Sequence, residues 1–334
     1  MRVGVRLALL LLSGLTSPIA AQPASPVLES VDVSNRAIRS FQLRSDETRF
    51  GPLEFVGGLE FTSPSYNFGA FSSLRFLTPG ERLIGVSDTG FLFSATLQRD
   101  EDFRPLGFTN FTLQPITGGA EFGHGKWSSD AESIAISDHR VVIGFERIHR
   151  IVAFDLSDGL LGPPRGDIDP LIPRRELRSN RGFETLAYAP QDSALQGALM
   201  VVSERSLDAE GNVFAAILDG PEKGIFSVKR DSGFDITDGA FMPNGDLMLL
   251  ERRFTIATGV AMRLRRIKAS TIAAGAVADG PVLLEADMGY QIDNMEGLDL
   301  WRAPDGALMV SIVSDDNRSM FQRNLYLEFR YHGD

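Results

Sequence analysis

The feature that most constrains the fold of this chain is an internal repeat of short apolar strands. Four copies begin with an acidic residue just before a strand, namely Glu132, Glu184, Asp238 and Glu296, which are 52, 54 and 58 residues apart. In each copy a turn follows, and then a second apolar strand. Repeats of roughly 40–50 residues with several strands each are typical of β-propeller blades. We therefore predict an all-β chain folded as a single β-propeller.

The number of blades depends on how the N-terminal part of the chain is counted. A weaker fifth copy starts near residue 71, so the stretch 27–62 is either a further blade or a strand that closes the ring. Dividing the 313 residues after position 21 by about 50 per blade favours six blades of three to four antiparallel strands. Five blades, the first one elaborated, is the alternative. The competing fold is a β-sandwich, but a sandwich has no structural unit that would require a repeat with the same first and last residues.

Residues 1–21 have the three parts of a secretory signal peptide. Arg2 and Arg6 precede the apolar run 7–12, and small residues follow at Ala20 and Ala21. We expect cleavage after Ala21, a propeller domain over residues 27–334, and a periplasmic or secreted protein. The apolar run is shorter than the roughly 20 residues of a membrane span, and nothing later in the sequence is long enough.

Composition excludes several classes of function. The formal net charge of −11 argues against nucleic-acid binding, because phosphate neutralisation requires a basic surface. The absence of cysteine excludes disulfides, thiolate metal sites and a cysteine nucleophile. The sequence has no P-loop, no G-x-G-x-x-G and no paired histidines, so we expect no nucleotide, haem or zinc cofactor.

We expect the protein to be a monomer.

The repeated acidic residues are expected at one mouth of the propeller channel, which the first strand of each blade lines. Second strands also end in acidic residues, and Arg147, Arg205 and Arg252 directly follow three of them. One interpretation is structural: each acid caps a strand or pairs with an arginine of the next blade. The other is that the carboxylates bind a hard cation such as Ca²⁺, which takes 6–8 oxygen ligands.

The second interpretation assigns roles to individual residues. The channel ligands of Ca²⁺ would be Glu132, Glu184, Asp238 and Glu296. The catalytic candidates, acting as base or in support of the ligands, are Asp88, Glu204 and Asp315. The candidates for binding substrate are His124, which lies in a glycine-flanked loop, together with Arg147, Arg181, Arg205 and Arg252. The alternating basic residues Arg263, Arg265, Arg266 and Lys268 are expected to form a solvated strand edge.

Several strings of this sequence resemble the phytase-like family, also described as "esterase-like activity of phytase". They are residues 71–74 with 87–90, 130–135, 144–150, 180–187 and 294–298, and the resemblance extends over roughly 55–330. It implies an exported bacterial propeller and hydrolysis of esters or phosphoesters. The R-H-G motif of histidine acid phosphatases is absent, so phosphohistidine chemistry is excluded.

Two functions remain open at this point. The first is a hydrolase of esters or phosphoesters in which a cation polarises the substrate and a carboxylate acts as general base. The second is a non-catalytic exported module that binds a small molecule or a protein at the same channel mouth. Three or more carboxylate oxygens near a common point would favour the first, and carboxylates paired one by one with arginines would favour a scaffold.

Overall fold

The strands form where runs of β-branched, aromatic and other large apolar residues are bounded by turn residues. In the segment 141–145 all five residues are buried, as expected for a central strand covered on both faces. At the turn 243–246, Gly245 has φ +86°, which a glycine adopts without steric cost. This computed structural model describes residues 27–117, 130–177, 182–231 and 233–333.

The described residues form 24 strands and two short 3-10 helices. In chain order the strands are β1 (Glu29–Val31), β2 (Ser34–Ile38), β3 (Arg49–Phe50), β4 (Leu53–Thr62), β5 (Phe71–Thr78), β6 (Arg82–Ser87), β7 (Phe91–Arg99), β8 (Pro105–Pro115), β9 (Ala131–Ser137), β10 (Arg140–Phe145), β11 (Arg150–Ser157), β12 (Leu160–Ile168), β13 (Phe183–Tyr188), β14 (Leu199–Leu207), β15 (Val213–Ile217), β16 (Gly224–Val228), β17 (Asp235–Phe241), β18 (Leu247–Thr255), β19 (Gly259–Ile267), β20 (Val277–Ala278), β21 (Val282–Ala286), β22 (Asn294–Arg302), β23 (Leu308–Asp315) and β24 (Leu325–Tyr331). The helices are Arg174–Glu176 and Ala269–Thr271. Among these residues there is no long apolar helix of the kind that crosses a bilayer.

These strands make five sheets, which are the five blades of a β-propeller. Blade 1 is β5–β8 with β1 at its outer edge, blade 2 is β9–β12, and blade 3 is β13–β16 with β20. Blade 4 is β17, β18, β19 and β21, and blade 5 is β22–β24 with β4, β2 and β3. The inner strands β5, β9, β13, β17 and β22 contact one another in that order around the axis, and β22 contacts β5.

The prediction of six blades is therefore wrong, and the alternative of five is confirmed. The stretch 27–62 forms no blade of its own because its strands complete two others. Strand β4 pairs with β24 in blade 5, whereas β1 pairs with β8 in blade 1. Chain segments from the two ends of the propeller thus share one sheet, and this arrangement closes the ring.

The core lies between the blades. A buried apolar cluster fills each interface between neighbouring blades: blades 1 and 2, 2 and 3, 3 and 4, 4 and 5, and 5 and 1. The interface of blades 5 and 1 is rich in phenylalanine, including Phe61, Phe71 and Phe111. Since no blade buries both faces alone, this packing holds the inner strands at fixed positions around the channel.

Candidate functional site

Each inner strand has a β-bulge at the same place, close to its start. There, two residues of the inner strand face one residue of the second strand. The bulged residues of blades 1 to 5 are Ser72, Glu132, Glu184, Thr237 and Glu296. Bulges redirect side chains, and here they place three carboxylates at equivalent positions on one mouth of the channel. The predicted equivalence is confirmed for Glu132, Glu184 and Glu296.

The ends of the second strands add a further ring of residues to this mouth. The residues that follow the bulge partners in blades 1 to 5 are Asp88, Glu146, Glu204, Arg252 and Asp315. We call the carboxylates of the two rings, with Asp130, the acidic cluster. Its members are Asp88, Asp130, Glu132, Glu146, Glu184, Glu204, Glu296 and Asp315.

Two groups of three carboxylates lie within the acidic cluster, and Glu146 belongs to both. One oxygen each of Asp130, Glu132 and Glu146 lie within 4.8 Å of one another, and the same holds for Glu146, Glu184 and Glu204. All donors are carboxylate oxygens, which hard cations such as Ca²⁺ prefer. These groups can bind a metal ion.

Burial and mutual repulsion shift the protonation of this cluster. Burial, and then the negative charges of Glu132, Glu204 and Glu146, raise the pKa of Glu184 well above its usual value. The pKa of Glu132 is raised in the same way. Burial also raises the pKa of Glu146 and of Glu296 to about 7. The described residues therefore provide less positive charge than this mouth needs for all its carboxylates to ionise.

Some members have partners, and Glu184 has none among the described residues. Arg147 pairs with Asp130, and Arg252 pairs with Glu296 at 3.2 Å. By contrast, Glu184 is only 7 % exposed, yet no described residue donates a hydrogen bond to its carboxylate or forms an ion pair with it. A buried carboxylate is stable when paired, protonated or bound to a cation. The structural interpretation thus accounts for part of the cluster, and it does not account for Glu184.

Asp238 does not belong to this mouth, and its predicted equivalence with the other three acids is wrong. Thr237 occupies the bulge of blade 4, so Asp238 lies one residue further along the strand and deeper in the channel. Its two oxygens accept hydrogen bonds from Arg75 at 2.8 and 2.9 Å, and Ser73 donates another at 2.7 Å. The carboxylate is saturated by protein donors and is unsuited to bind a cation.

Arg75 spans the middle of the channel. From blade 1 it donates hydrogen bonds to the carbonyl oxygens of Leu186 in blade 3 and Leu298 in blade 5, at 2.9 and 2.6 Å, besides its pair with Asp238 in blade 4. Beyond it, the opposite mouth is a cavity of about 300 Å³ ringed by one apolar residue per blade. These are Phe76, Ile136, Tyr188, Phe241 and Leu300. The acidic cluster is thus confined to one end of the channel.

Blade 4 departs from the acidic pattern at the end of its second strand as well. The bulge of blade 4 lies one residue earlier than the sequence repeat predicts. Arg252 therefore takes the place that an acid holds in the other blades, and Glu251 pairs with Ile236 next to the bulge. Glu251 pairs with Arg263 and Arg265, each only 2 % exposed. The expectation of a solvated edge is therefore wrong for these two arginines.

The other predicted residues divide between the mouth and the blade interfaces. Arg205 pairs with Asp235 of the next blade, as the structural interpretation expects. Asp315 accepts a hydrogen bond from the Asn317 backbone at 2.6 Å, and burial raises its pKa well above the usual value. His124, Arg181 and the signal sequence 1–21 lie outside the described residues.

Sequence reasoning missed Glu146 and Asp130 as members of the candidate site. Glu146 ends the second strand of blade 2 and thus fits the repeated pattern, so the signal was present. Asp130 directly precedes β9. The backbone N–H of Glu146 donates a hydrogen bond to its carbonyl oxygen at 2.9 Å, and this contact holds Asp130 beside Glu146. That contact depends on strand register, which the pattern alone does not specify.

Comparison with known proteins agrees with this architecture. The family model described as "Phytase-like: Esterase-like activity of phytase" matches residues 66–318. The chain belongs to the phytase-like family. The matched segment of this phytase-like chain includes the acidic cluster and the inner strands of all five blades. A comparison with curated protein sequences gives no match.

Solved structures resemble the phytase-like chain in fold. An endo-arabinase from Bacteroides thetaiotaomicron is 12 % identical, with a TM-score of 0.50, and the alignment covers 80 % of this chain and 96 % of that one. A thermostable family-43 glycoside hydrolase is 11 % identical with a TM-score of 0.47, covering 79 % and 90 %. At 12 % identity the likeness to the endo-arabinase concerns the fold and does not extend to the site.

Proposed function

We propose that this phytase-like protein is an exported hydrolase of ester or phosphoester bonds that uses Ca²⁺ at the acidic cluster. The observation that carries the proposal is that Glu146 belongs to two groups of three carboxylates. In each group, one oxygen from every member lies within 4.8 Å of the others. The family description supports the reaction class. We further propose that residues 1–21 are removed after Ala21, and that the protein acts in the periplasm or outside the cell.

The ligands would come from two neighbouring blades, blades 2 and 3. Glu132, Glu146, Glu184 and Glu204 would hold the ion, with Asp130 beside them. Bound there, Ca²⁺ would polarise the carbonyl or phosphoryl oxygen of the substrate. Glu204, first considered as a base, fits better as a ligand because its oxygen lies with those of Glu146 and Glu184.

We assign the direct roles in the reaction to Asp315 and Arg252, which lie at the same mouth of the channel. Asp315 is 7 % exposed and is oriented by the Asn317 backbone and by Asn294. As general base it would take a proton from the attacking water and return it to the leaving alcohol. Arg252 would stabilise negative charge on the substrate oxygen, while Asp88 adds to the field around Glu132.

The experiment is a hydrolysis assay of the mature protein with Ca²⁺ and with EDTA. The substrates are p-nitrophenyl acetate, p-nitrophenyl phosphate, a lactone and phytate. We expect turnover of at least one substrate in Ca²⁺ and its loss in EDTA. Asp315→Asn should lower kcat by about 10²–10⁴-fold and keep Ca²⁺ binding, whereas Glu184→Gln should weaken both.

The matched control is Glu285→Gln, which neutralises an exposed carboxylate on β21 far from the cluster. It should behave as the wild type. Binding of Ca²⁺ without turnover of any substrate would contradict the hydrolase and favour the non-catalytic binding module.

A further inference from the structure

A groove of about 470 Å³ lies between blades 4 and 5, directly beside the acidic cluster. Its apolar lining comes from the β18–β19 hairpin, the loop before β22 and the loop between β23 and β24. Its residues are Phe254, Val260, Met288, Ile292 and Phe321. Phe254, Met288 and Phe321 are 64, 57 and 92 % exposed. Exposed aromatic and methionine side chains grouped around one groove are typical of a surface that binds an apolar group.

The rest of the groove lining is polar, and part of it contacts the acidic cluster. The polar residues are Arg252, Asp293, Asn294, Asn317, Gln322 and Arg323. Arg252 and Asn294 line the groove, and both contact Glu296, at 3.2 and 2.8 Å. Asn317, also in the lining, donates its backbone N–H to Asp315. A molecule in the groove can therefore contact Arg252 and the apolar residues directly, and it lies next to Asn317, whose backbone N–H binds the proposed base Asp315.

The groove coincides with the break in the acidic pattern. Blade 4 has Thr237 at its bulge, where blades 2, 3 and 5 have a glutamate, and it has Arg252 after its second strand's bulge partner, where the other four blades have a carboxylate. Blade 4 therefore contributes no carboxylate to the acidic cluster. A neutral group can enter here beside Arg252, whereas a substrate with many phosphates would face the carboxylates that the other four blades contribute.

We propose that the groove binds the apolar acyl or aryl part of an ester, with the ester bond at Asp315 and Arg252. This inference rests on the proposed function and specifies its substrate class: neutral esters with an apolar chain, rather than highly charged phosphoesters. Water attacks the carbonyl carbon, Asp315 accepts the proton, and the alcohol leaves with that proton, so that one water gives one acid and one alcohol.

The first test is a chain-length series of p-nitrophenyl esters, from acetate to octanoate, kept below their critical micelle concentrations. We expect kcat/KM to rise along the series by up to about fourfold for each buried methylene. Phe254→Asp should abolish most of this rise. Ile256→Asp is the control, because Ile256 lies in the same hairpin and is 99 % exposed but does not line the groove.

The second test measures binding without turnover, so that failure of the groove and failure of the hydrolase can be distinguished. The probes are N-hexylacetamide and N-methylacetamide, which are amide analogues of a long and a short ester, in isothermal titration calorimetry. We expect at least tenfold tighter binding of the hexyl probe, lost in Phe254→Asp and kept in Ile256→Asp. This pattern supports the groove even if no ester is hydrolysed. Equal kcat/KM for acetate and octanoate, or equal hexyl binding by both variants, overturns it.

Discussion

At the scale of single residues, two kinds of carboxylate occur in one channel. Asp238 is fully buried and saturated by Arg75, Ser73 and the backbone N–H of Leu298. Glu184 is nearly as buried but has no donor among the described residues. The first kind stabilises the fold without any ion, and the second needs a proton or a cation. Mutations at the two positions should therefore respond differently to Ca²⁺.

Breaking the central ion pair should destabilise the protein whether or not Ca²⁺ is present. Arg75→Met leaves Asp238 buried without its charged partner, so we expect a loss of about 3–5 kcal/mol in the free energy of unfolding. Urea denaturation measures this loss. Adding Asp238→Asn to that variant should recover part of it. Arg82→Met, which removes an exposed pair with Asp158, should cost less than about 1 kcal/mol.

The protonation of the acidic cluster predicts how stability depends on pH. In EDTA, Glu146 and Glu296 have a folded-state pKa of about 7 against an ordinary value of 4.5. Between these values the folded state binds more protons than the unfolded chain, so stability falls as pH rises. We expect the melting temperature in EDTA to fall from pH 5 to pH 8, and less so in Ca²⁺. A melting temperature that rises over this range in EDTA would contradict the shifts.

At the scale of elements, strand β4 closes the ring by pairing with β24, and Gly58 lies at a close approach of these two strands. A Cβ atom at Gly58 would lie 2.6 Å from the Tyr326 carbonyl oxygen and 2.7 Å from Leu327 Cδ2. Both neighbours belong to β24 of the last blade, so only glycine lets the two chain segments pair this closely.

Gly58→Val should therefore weaken ring closure. We expect a destabilisation of at least about 1–3 kcal/mol, the usual cost of overpacking, measured as a lower midpoint in urea denaturation. Thr62→Val is the control, since Thr62 is the exposed last residue of the same strand. Equal midpoints for the two variants would show that β4 does not hold the ring together.

The same elements show which features a sequence can predict. The repeat of apolar strands and acidic residues was enough to predict a propeller, because strand period and turn chemistry are local. The number of blades could not be predicted from these local patterns, because β4 pairs with β24, which lies at the other end of the chain. In blade 4, Asp238 and Glu251 resemble the acids of other repeats by alignment. The bulge at Thr237 shifts them both by one position, and a shift of one residue in a strand turns a side chain to the other face.

At the scale of the whole molecule, the five blades bring carboxylates from distant parts of the chain to one mouth. The proposed ligands Glu132 and Glu184 belong to two neighbouring blades, and only the folded propeller places them side by side. Cation binding at this mouth should therefore stabilise the entire propeller, since the ligands disperse when it unfolds. With Ca²⁺ at 100 times its dissociation constant, the gain would be about 2.7 kcal/mol.

The most direct test of the account is the thermal melting of the mature protein and of Glu184→Gln, each in Ca²⁺ and in EDTA. We predict that Ca²⁺ raises the melting temperature of the wild type by several degrees. The variant should lose this increase, because it lacks a ligand of the ion, while its melting temperature in EDTA equals or exceeds that of the wild type. No effect of Ca²⁺ on the wild type, or the same increase in both proteins, would contradict a cation site at the acidic cluster.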